Sequence, residues 1–363
     1  MNICYIGPLS IHSFRWIEAF QQKGYDMSLI TDCGLHSAPS LNTISAYVLP
    51  TLNRNNAPRR LIPNFLETIR ALREINPDLV HLHFQHHYAP AIILARFPFI
   101  LTSWGIEVLT LPNADYPIRK LAVCTAKKAL RVVVDAECLK DIWVKAGISE
   151  RKIHVIPFGV DTSIFNPQAC NKAIRNDLNL NKDDVVVIST RFFFNHHYNI
   201  DCLVKAIPLV RKKHEEAKFL IKGAGPLENY LKRLSEKLGV SNSVRFAGLV
   251  PHDRVAQYLS SADIYVSTSF MDSTSVSLLE AMACGLAPVV TDIAGNREWI
   301  EDGQNGFLFP PRDSEALAEK INELIEIPRL RKSFGKKCVQ IITQKATWDK
   351  CVSSMEAVYE ALF

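Results

Sequence analysis

The segment Asp272-Ser273-Thr274-Ser275 runs straight into an apolar stretch, 276–284, that carries a single acid, Glu280, and ends at Gly285. Serine and threonine are favoured where a helix begins and glycine just past its last turn, so the stretch reads as a helix whose amino end abuts a polar loop. Such an end offers unpaired N–H groups and partial positive charge, which together hold a phosphate without a metal ion. Asp272 stands ahead of the helix and Glu280 within it, so one carboxylate can face the sugar side of a bound diphosphate and the other its nucleoside side. Carboxylates accept hydrogen bonds from vicinal hydroxyls. Each acid also has a plainer reading, with Asp272 complementing the helix dipole and Glu280 a solvated helix residue.

Histidines supply a second candidate. In His81-Leu82-His83-Phe84-Gln85-His86-His87, strand alternation puts His81 and His83 on one face and leaves the later pair in a loop. No carboxylate or cysteine joins them locally. Packed histidines, or histidines lining a cleft where an acceptor sits, are therefore favoured over a metal centre, and no metal is expected. The nine cysteines never form a C-x-x-C pair, which suggests neither a disulfide framework nor zinc and fits a reducing cytoplasm.

These residues need a scaffold, and the chain supplies one twice. Short β-branched runs at 2–6, 26–31, 79–83, 99–102, 131–134 and 154–156 alternate with helical patterns at 14–23, 64–75 and 138–145. The rhythm restarts with runs at 185–189, 218–222, 243–246, 264–266 and 287–290. Such alternation marks parallel α/β sheets, and 363 residues exceed what one core usually supports. Two tandem α/β domains are expected, with a linker within 158–180 and a last helical stretch, 345–363, whose Trp348 and Tyr359 need a surface to pack on. Ligands of open parallel sheets bind outside the carboxyl ends of the strands, so the site is expected in a cleft between the domains.

With 48% hydrophobic and 22% charged residues the composition is globular, and a net charge of +5 is too small at this length to argue for nucleic acid. Arg54, Arg59, Arg60, Arg70 and Arg73, and a second group of Arg119, Lys120, Lys127, Lys128 and Arg131, read as solvated helix faces or as attraction to an anionic acceptor or membrane surface. The most apolar part of the first half, 89–101, is broken by Arg96 and two prolines and is too short to span a bilayer. No export signal is read at the start. A cytoplasmic location, with membrane contact at most peripheral to the inner face, is the expectation.

The chain also resembles the family 4 retaining glycosyltransferases (glycosyl transferases group 1), which have the GT-B fold. The stretch from Asp272 to Glu280 is similar to the family's E-x7-E donor element. Ile156-Pro-Phe-Gly-Val-Asp161, with Phe165 and Pro167, resembles I-P-N-G-V-D-x-x-x-F-x-P. Lys222-Gly-Ala-Gly-Pro-Leu227 and Val244-Arg-Phe-Ala-Gly248 resemble G-x-G-P-L and V-x-F-x-G, and 262–269, 295–298 and 305–310 match the segments that follow. Each piece is short, but their order and spacing are specific and extend over nearly the whole chain. The resemblance implies an α/β GT-B architecture of two Rossmann-like domains facing each other across a cleft. These are an acceptor domain, 1–165, a nucleotide-sugar domain, 166–344, and a C-terminal helix, 345–363, crossing back to the first.

It further implies roles. Glu280 contacts the donor ribose, and Asp272 the donor sugar in place of a glutamate one methylene longer. The backbone of Ser275 and Val276 approaches the distal phosphate where the family usually has glycine at the first position, with Ser273 and Thr274 completing the turn. Gly7, Gly223, Arg245 and Phe246 lie in elements expected to line the donor. Arg191 matches an arginine that neutralises the leaving diphosphate, while the family's lysine is missing and His197 and Tyr198 stand near its place. Trp104 occupies the position of a histidine close to the reacting carbon and offers an apolar wall or stacking face instead of a base. Glu107 beside it, with His12, Arg15, His83 and His86, is expected to meet the acceptor.

The implied activity is transfer, with retention, of a sugar from a nucleotide diphosphate sugar, UDP-sugar foremost, to a hydroxyl of a glycan, lipid-linked or small-molecule acceptor, without cofactor or metal. Two rivals suit the same double sheet, a nucleotide-sugar 2-epimerase and a non-catalytic nucleotide-sugar-binding subunit. Asp272, Glu280 and Arg191 favour the transferase, and the missing lysine and histidine keep the binding subunit open.

Overall fold

The computed structural model describes residues 1–8, 11–32, 45–49, 57–83, 88–169, 172–177, 180–181, 184–194 and 196–363. The chain divides into two compact units, Met1–Ile156 with Val352–Phe363, and Pro157–Cys351. The division falls at Ile156 and Cys351, against 165 and 344 in the reading of the sequence.

Unit 1 is built on β1 (Asn2–Ile6), β2 (Asp26–Thr31), β3 (Ser45–Val48), β4 (Leu79–His83), β5 (Phe99–Ser103), β6 (Val132–Val134) and β7 (Ile153–Val155). These strands are all parallel, in the order β3-β2-β1-β4-β5-β6-β7. Between them run α1 (Ile11–Gln22), α2 (Ala57–Ile75), α3 (Ala89–Ala95), α4 (Ile106–Leu109), α5 (Tyr116–Lys128) and α6 (Glu137–Lys145). The central strands are buried without alternation because both sheet faces are covered, with β4 and β5 buried at every position, the polar His81, His83, Thr102 and Ser103 included. One core gathers Cys4, Ile6, Val80, Leu82, Leu101 and Val134 with the helix side chains Leu139 and Trp143. Trp143 is fully buried, and burial of a side chain that large contributes about 1.5–3 kcal/mol. The strand order reverses between β1 and β4, so the loops after these two strands open at a switch point, the usual ligand position of such a sheet.

Unit 2 repeats the plan with β8 (Val186–Ser189), β9 (Lys218–Lys222), β10 (Val244–Gly248), β11 (Ile264–Ser267), β12 (Ala287–Thr291) and β13 (Phe307–Phe309). These too are parallel, in the order β10-β9-β8-β11-β12-β13, with the switch point between β8 and β11. Its helices are α7 (Lys172–Asp177), α8 (Ile200–Arg211), α9 (Glu228–Lys237), α10 (His252–Leu259), α11 (Val276–Ala283), α12 (Ala294–Arg297), α13 (Ser314–Glu326), α14 (Pro328–Lys345) and α15 (Trp348–Glu360). Strand alternation sorts the side chains onto two faces. Val187, Phe219, Ile221 and Val266 pack with residues of α8 and α13, whereas Val186, Ile188, Leu220 and Tyr265 pack with α10, α11 and α14.

The last helix begins in unit 2, where Trp348 N donates to Val160 O at 2.8 Å, and ends in unit 1. There Tyr359 is buried against Phe20, ring centroids 4.8 Å apart, and bonds His81. The sequence runs predict neither β3 nor β13, which are only four and three residues long.

Candidate functional site

At the carboxyl edge of the second sheet, Arg191 follows β8 and is 9% exposed. Its Nη2 donates to Asp272 Oδ2 at 2.5 Å, and its Nη1 donates to Ser275 Oγ at 2.6 Å and Ser277 Oγ at 3.0 Å. The Tyr198 ring lies against the guanidinium face at 4.6 Å. One side chain thus spans the β8/β11 switch point. Burial works against its charge, but Asp272 together with Tyr265 and Tyr198 outweighs that and holds the guanidinium above its ordinary pKa.

Ser275 is the N-cap of α11, its Oγ accepting from Leu278 N at 3.4 Å, and Gly285 has the φ of +79° that glycine tolerates just past a helix end. A serine cap of this kind is worth about 1 kcal/mol. Ser273 N donates to Asp272 Oδ1 at 3.1 Å, and Thr274 Oγ1 accepts from Trp299 Nε1 at 3.4 Å. A Cβ on Gly295 of α12 would fall 2.0 Å from Ser273 O, so only glycine lets α12 lie against this turn. The turn is therefore fixed from below by α12, from one side by its own cap and from the other by Arg191.

Glu280, one turn further along α11, is 6% exposed rather than solvated, and its Oε1 meets His252 Nε2 at 2.8 Å. His252 opens α10, with its ring 5.3 Å from that of Phe165. The sequence reading omitted His252, because no spacing rule joins residues that meet only when α10 packs on α11. His197 is pushed toward its neutral form by burial and by Arg191, so it is a poor substitute for the missing lysine. Lys222 at the end of β9 also has its pKa lowered by burial, with Glu280 opposing the shift.

Gly223 follows with φ +153°, and a Cβ there would fall 2.2 Å from Arg191 O. Phe246 points to the other sheet face, 6.5 Å from the Phe193 ring. Arg245 needs correcting as a donor residue. It lines a cavity with Leu180, Val186, Lys218 and Val244, at the amino ends of the strands and away from the Arg191 cluster. The resemblance of its segment to V-x-F-x-G carries the element but not which end of the sheet each side chain lies near.

In unit 1, Gly7 follows β1, and a Cβ there would fall 2.8 Å from His83 Cβ. His83 is buried, stacked on Tyr5 at 3.8 Å and edge-on to Trp104 at 4.5 Å. Neither of its ring nitrogens has a hydrogen-bond partner among the described residues. His81 is tied differently, its Nδ1 to Tyr359 OH at 2.5 Å and its Nε2 to Thr102 Oγ1 at 2.6 Å. Burial depresses both imidazoles, His81 to about 3, so both are neutral. Glu107 follows Gly105, whose φ is +114°, and burial pushes its carboxyl up to about 7. Its Oε1 lacks a partner among the described residues. Arg15 lies half-buried on α1. His12 is on the same helix with its side chain outside the description, and His86 lies outside the described residues. Among the described residues no group of three His, Cys, Asp or Glu could hold a metal, and no helix is long and apolar enough to cross a membrane.

Two parallel α/β units, each with a polar cluster at its switch point, define the GT-B class of fold. The fold is that of sucrose-phosphate synthase from Thermosynechococcus elongatus, with a TM-score of 0.86 at 19% identity, covering 100% of this chain and 99% of that one. It is also that of Anabaena HepE, solved with UDP-glucose, with a TM-score of 0.83 at 19% identity, covering 99% of this chain and 100% of that one. The family model described as Glycosyl transferases group 1 matches residues 171–339, and the one described as Glycosyltransferase Family 4 matches residues 9–164. An uncharacterized glycosyltransferase of Methanocaldococcus jannaschii is 22% identical over 380 residues, covering 98% of this chain and 94% of that protein. The chain belongs to the group 1, family 4 glycosyltransferases.

Proposed function

We propose that this glycosyltransferase moves a sugar from a nucleoside diphosphate sugar, a UDP-sugar foremost, to an acceptor hydroxyl with retention and without a metal ion. The observation that carries this reading is the Arg191 bridge, which joins a buried cation, Asp272 and the amino end of α11 in one fixed cluster. A diphosphate over that helix end meets N–H groups and a guanidinium, Asp272 is placed for the sugar hydroxyls, and Glu280 for the ribose. The bond from the anomeric carbon to the diphosphate breaks with its electron pair going to phosphate. The acceptor oxygen then bonds that carbon on the same face, and its proton passes to the leaving phosphate oxygen. Stabilisation of the departing charge by preorganised donors supplies the rate. HepE, which shares the fold, was solved with UDP-glucose, and this supports the choice of uracil.

The test is a panel of nucleotide sugars offered with simple hydroxyl acceptors, with and without EDTA, and with product configuration read by NMR. The expected result is a UDP-sugar consumed, the anomeric configuration kept and EDTA without effect. Inversion, or loss of activity with EDTA, overturns the corresponding part. Sugar interconversion without acceptor would indicate an epimerase instead.

A further inference from the structure

A nucleoside diphosphate brings several negative charges to the edge of the second sheet, and the cations described there are not equally free to meet them. Arg191 already shares its charge with Asp272. His197 is held toward its neutral form. Lys222 differs from both, being half-buried at the end of β9 with no hydrogen-bond or ion-pair partner among the described residues. Its Nζ lies 5.9 Å from the Phe192 ring centroid, and the charge that supports it is that of Glu280. Glu280 is itself engaged by His252, so the half-buried ammonium is only partly compensated, which is costly, and charged groups so perturbed mark functional sites more often than chance.

Register fixes where this lysine stands. Ser189 of β8 faces Ile221 of β9, so Thr190 is level with Lys222 and Arg191 with Gly223. The close approach of Gly223 to the Arg191 carbonyl locks the two loops together. Alternation then sends the Lys222 side chain to the face taken by Leu220, which α10 and α11 cover and where Glu280 lies, while Phe219 and Ile221 face the other way. Lys222 is thereby on the nucleoside side of Arg191. If Glu280 holds ribose and Arg191 the leaving end of the diphosphate, the phosphate attached to the ribose is the one between them.

We infer that Lys222 is a donor-binding residue that holds the ribose-linked phosphate, supplying from β9 the second cation that the loop between β8 and α8 lacks. This rests on the donor reading of Glu280 and Arg191 given above. The incoming phosphate gives the ammonium a direct partner that Glu280, bonded to His252, does not supply, and charge-assisted bonds of this kind are among the stronger ones.

The test measures binding of UDP, UMP and uridine to the full chain by calorimetry, with saturation-transfer NMR for the weakest. Lys222→Met, Lys222→Arg and Glu280→Gln are compared with the unaltered protein, after circular dichroism has shown each to be folded. Lys222→Met is expected to weaken UDP and UMP about 10- to 100-fold and to leave uridine unchanged, with Lys222→Arg restoring most of the loss. An equal loss for uridine places Lys222 on the ribose or base and overturns the inference. So does unaltered UDP affinity in Lys222→Met when Glu280→Gln binds all three ligands more weakly. If neither variant changes any affinity, it is the donor-site reading itself that fails.

Discussion

At the switch point between β8 and β11 one guanidinium ties an acid and two serines together, although Ser189 Oγ, Thr190 Oγ1, Arg191 Nε and Ser269 Oγ beside it lack partners among the described residues, whereas no such tie among the described residues joins the acid and imidazole that follow β5 and end β4. Arg191 donates to Asp272, Ser275 and Ser277, and Ser275 caps the helix that follows. His83 and Glu107 Oε1, in contrast, have no hydrogen-bond partner among the described residues, although His83 is buried and Glu107 is half-buried. A linked cluster keeps its geometry as charge develops, which suits a site that stabilises a leaving group. Unsatisfied buried groups cost about 1–3 kcal/mol each, and a ligand that bonds them recovers that cost as affinity.

The largest effect that would break the contrast is at Arg191. If Arg191 meets the leaving diphosphate as proposed, Arg191→Ala removes that charge and strands Asp272 in a half-buried position, so turnover at saturating donor should fall about 10²- to 10³-fold and the melting temperature should drop. Arg191→Lys should restore part of it, because an ammonium cannot donate to Asp272 and two serines with the same planar fork. Steady-state kinetics beside thermal melts decide the matter, and near-normal turnover in the alanine variant removes Arg191 from the chemistry.

His83→Phe tests the opposite side. The phenyl ring keeps the stacking on Tyr5 and Trp104 and removes two unsatisfied nitrogens, so stability should rise by about 1–2 kcal/mol in chemical denaturation while the acceptor KM increases. A loss of stability would show that the imidazole is satisfied in the native protein.

The smallest effect is a pH dependence at Glu107. Its carboxyl rises from an ordinary 4.5 to about 7 in the fold because burial disfavours the anion. The native state therefore binds its proton more tightly than the unfolded chain does, and this group's contribution to stability is fully present below 4.5, is lost as pH rises toward 7, and is flat above that. Glu107→Gln should gain stability relative to the unaltered protein across that window and no further at higher pH. Parallel melts from pH 4.5 to 8.5 read the difference, and a constant offset would mean that Glu107 titrates normally.

Much of this was legible in the chain, and the rest fails for identifiable reasons. β1, β2, β4 and β9 fall where their apolar runs predict, since a strand covered on both faces leaves an unbroken signal. β3, exposed at both of its ends on the sheet edge, leaves almost none. Asp272, Ser275 and Glu280 could be singled out because capping chemistry and helix spacing are local. The Arg191–Asp272 pair and the His252–Glu280 pair could not, since each depends on which strands become neighbours and which helices cover them. The expectation of Arg245 at the donor comes from the resemblance of its segment to a family element, and a motif match does not say which end of the sheet each of its side chains lies near.

The path of α15 has a consequence for synthesis on the ribosome. The first sheet is translated early, yet His81 waits for Tyr359 as its partner, and Phe20 for the same ring. All of unit 2 must be made in between, which at about 5–20 residues per second is a delay on the order of ten to forty seconds. During that interval the nascent first domain carries an uncovered aromatic and imidazole surface. Vectorial folding therefore returns to the first sheet, which α15 closes only after unit 2 has been made.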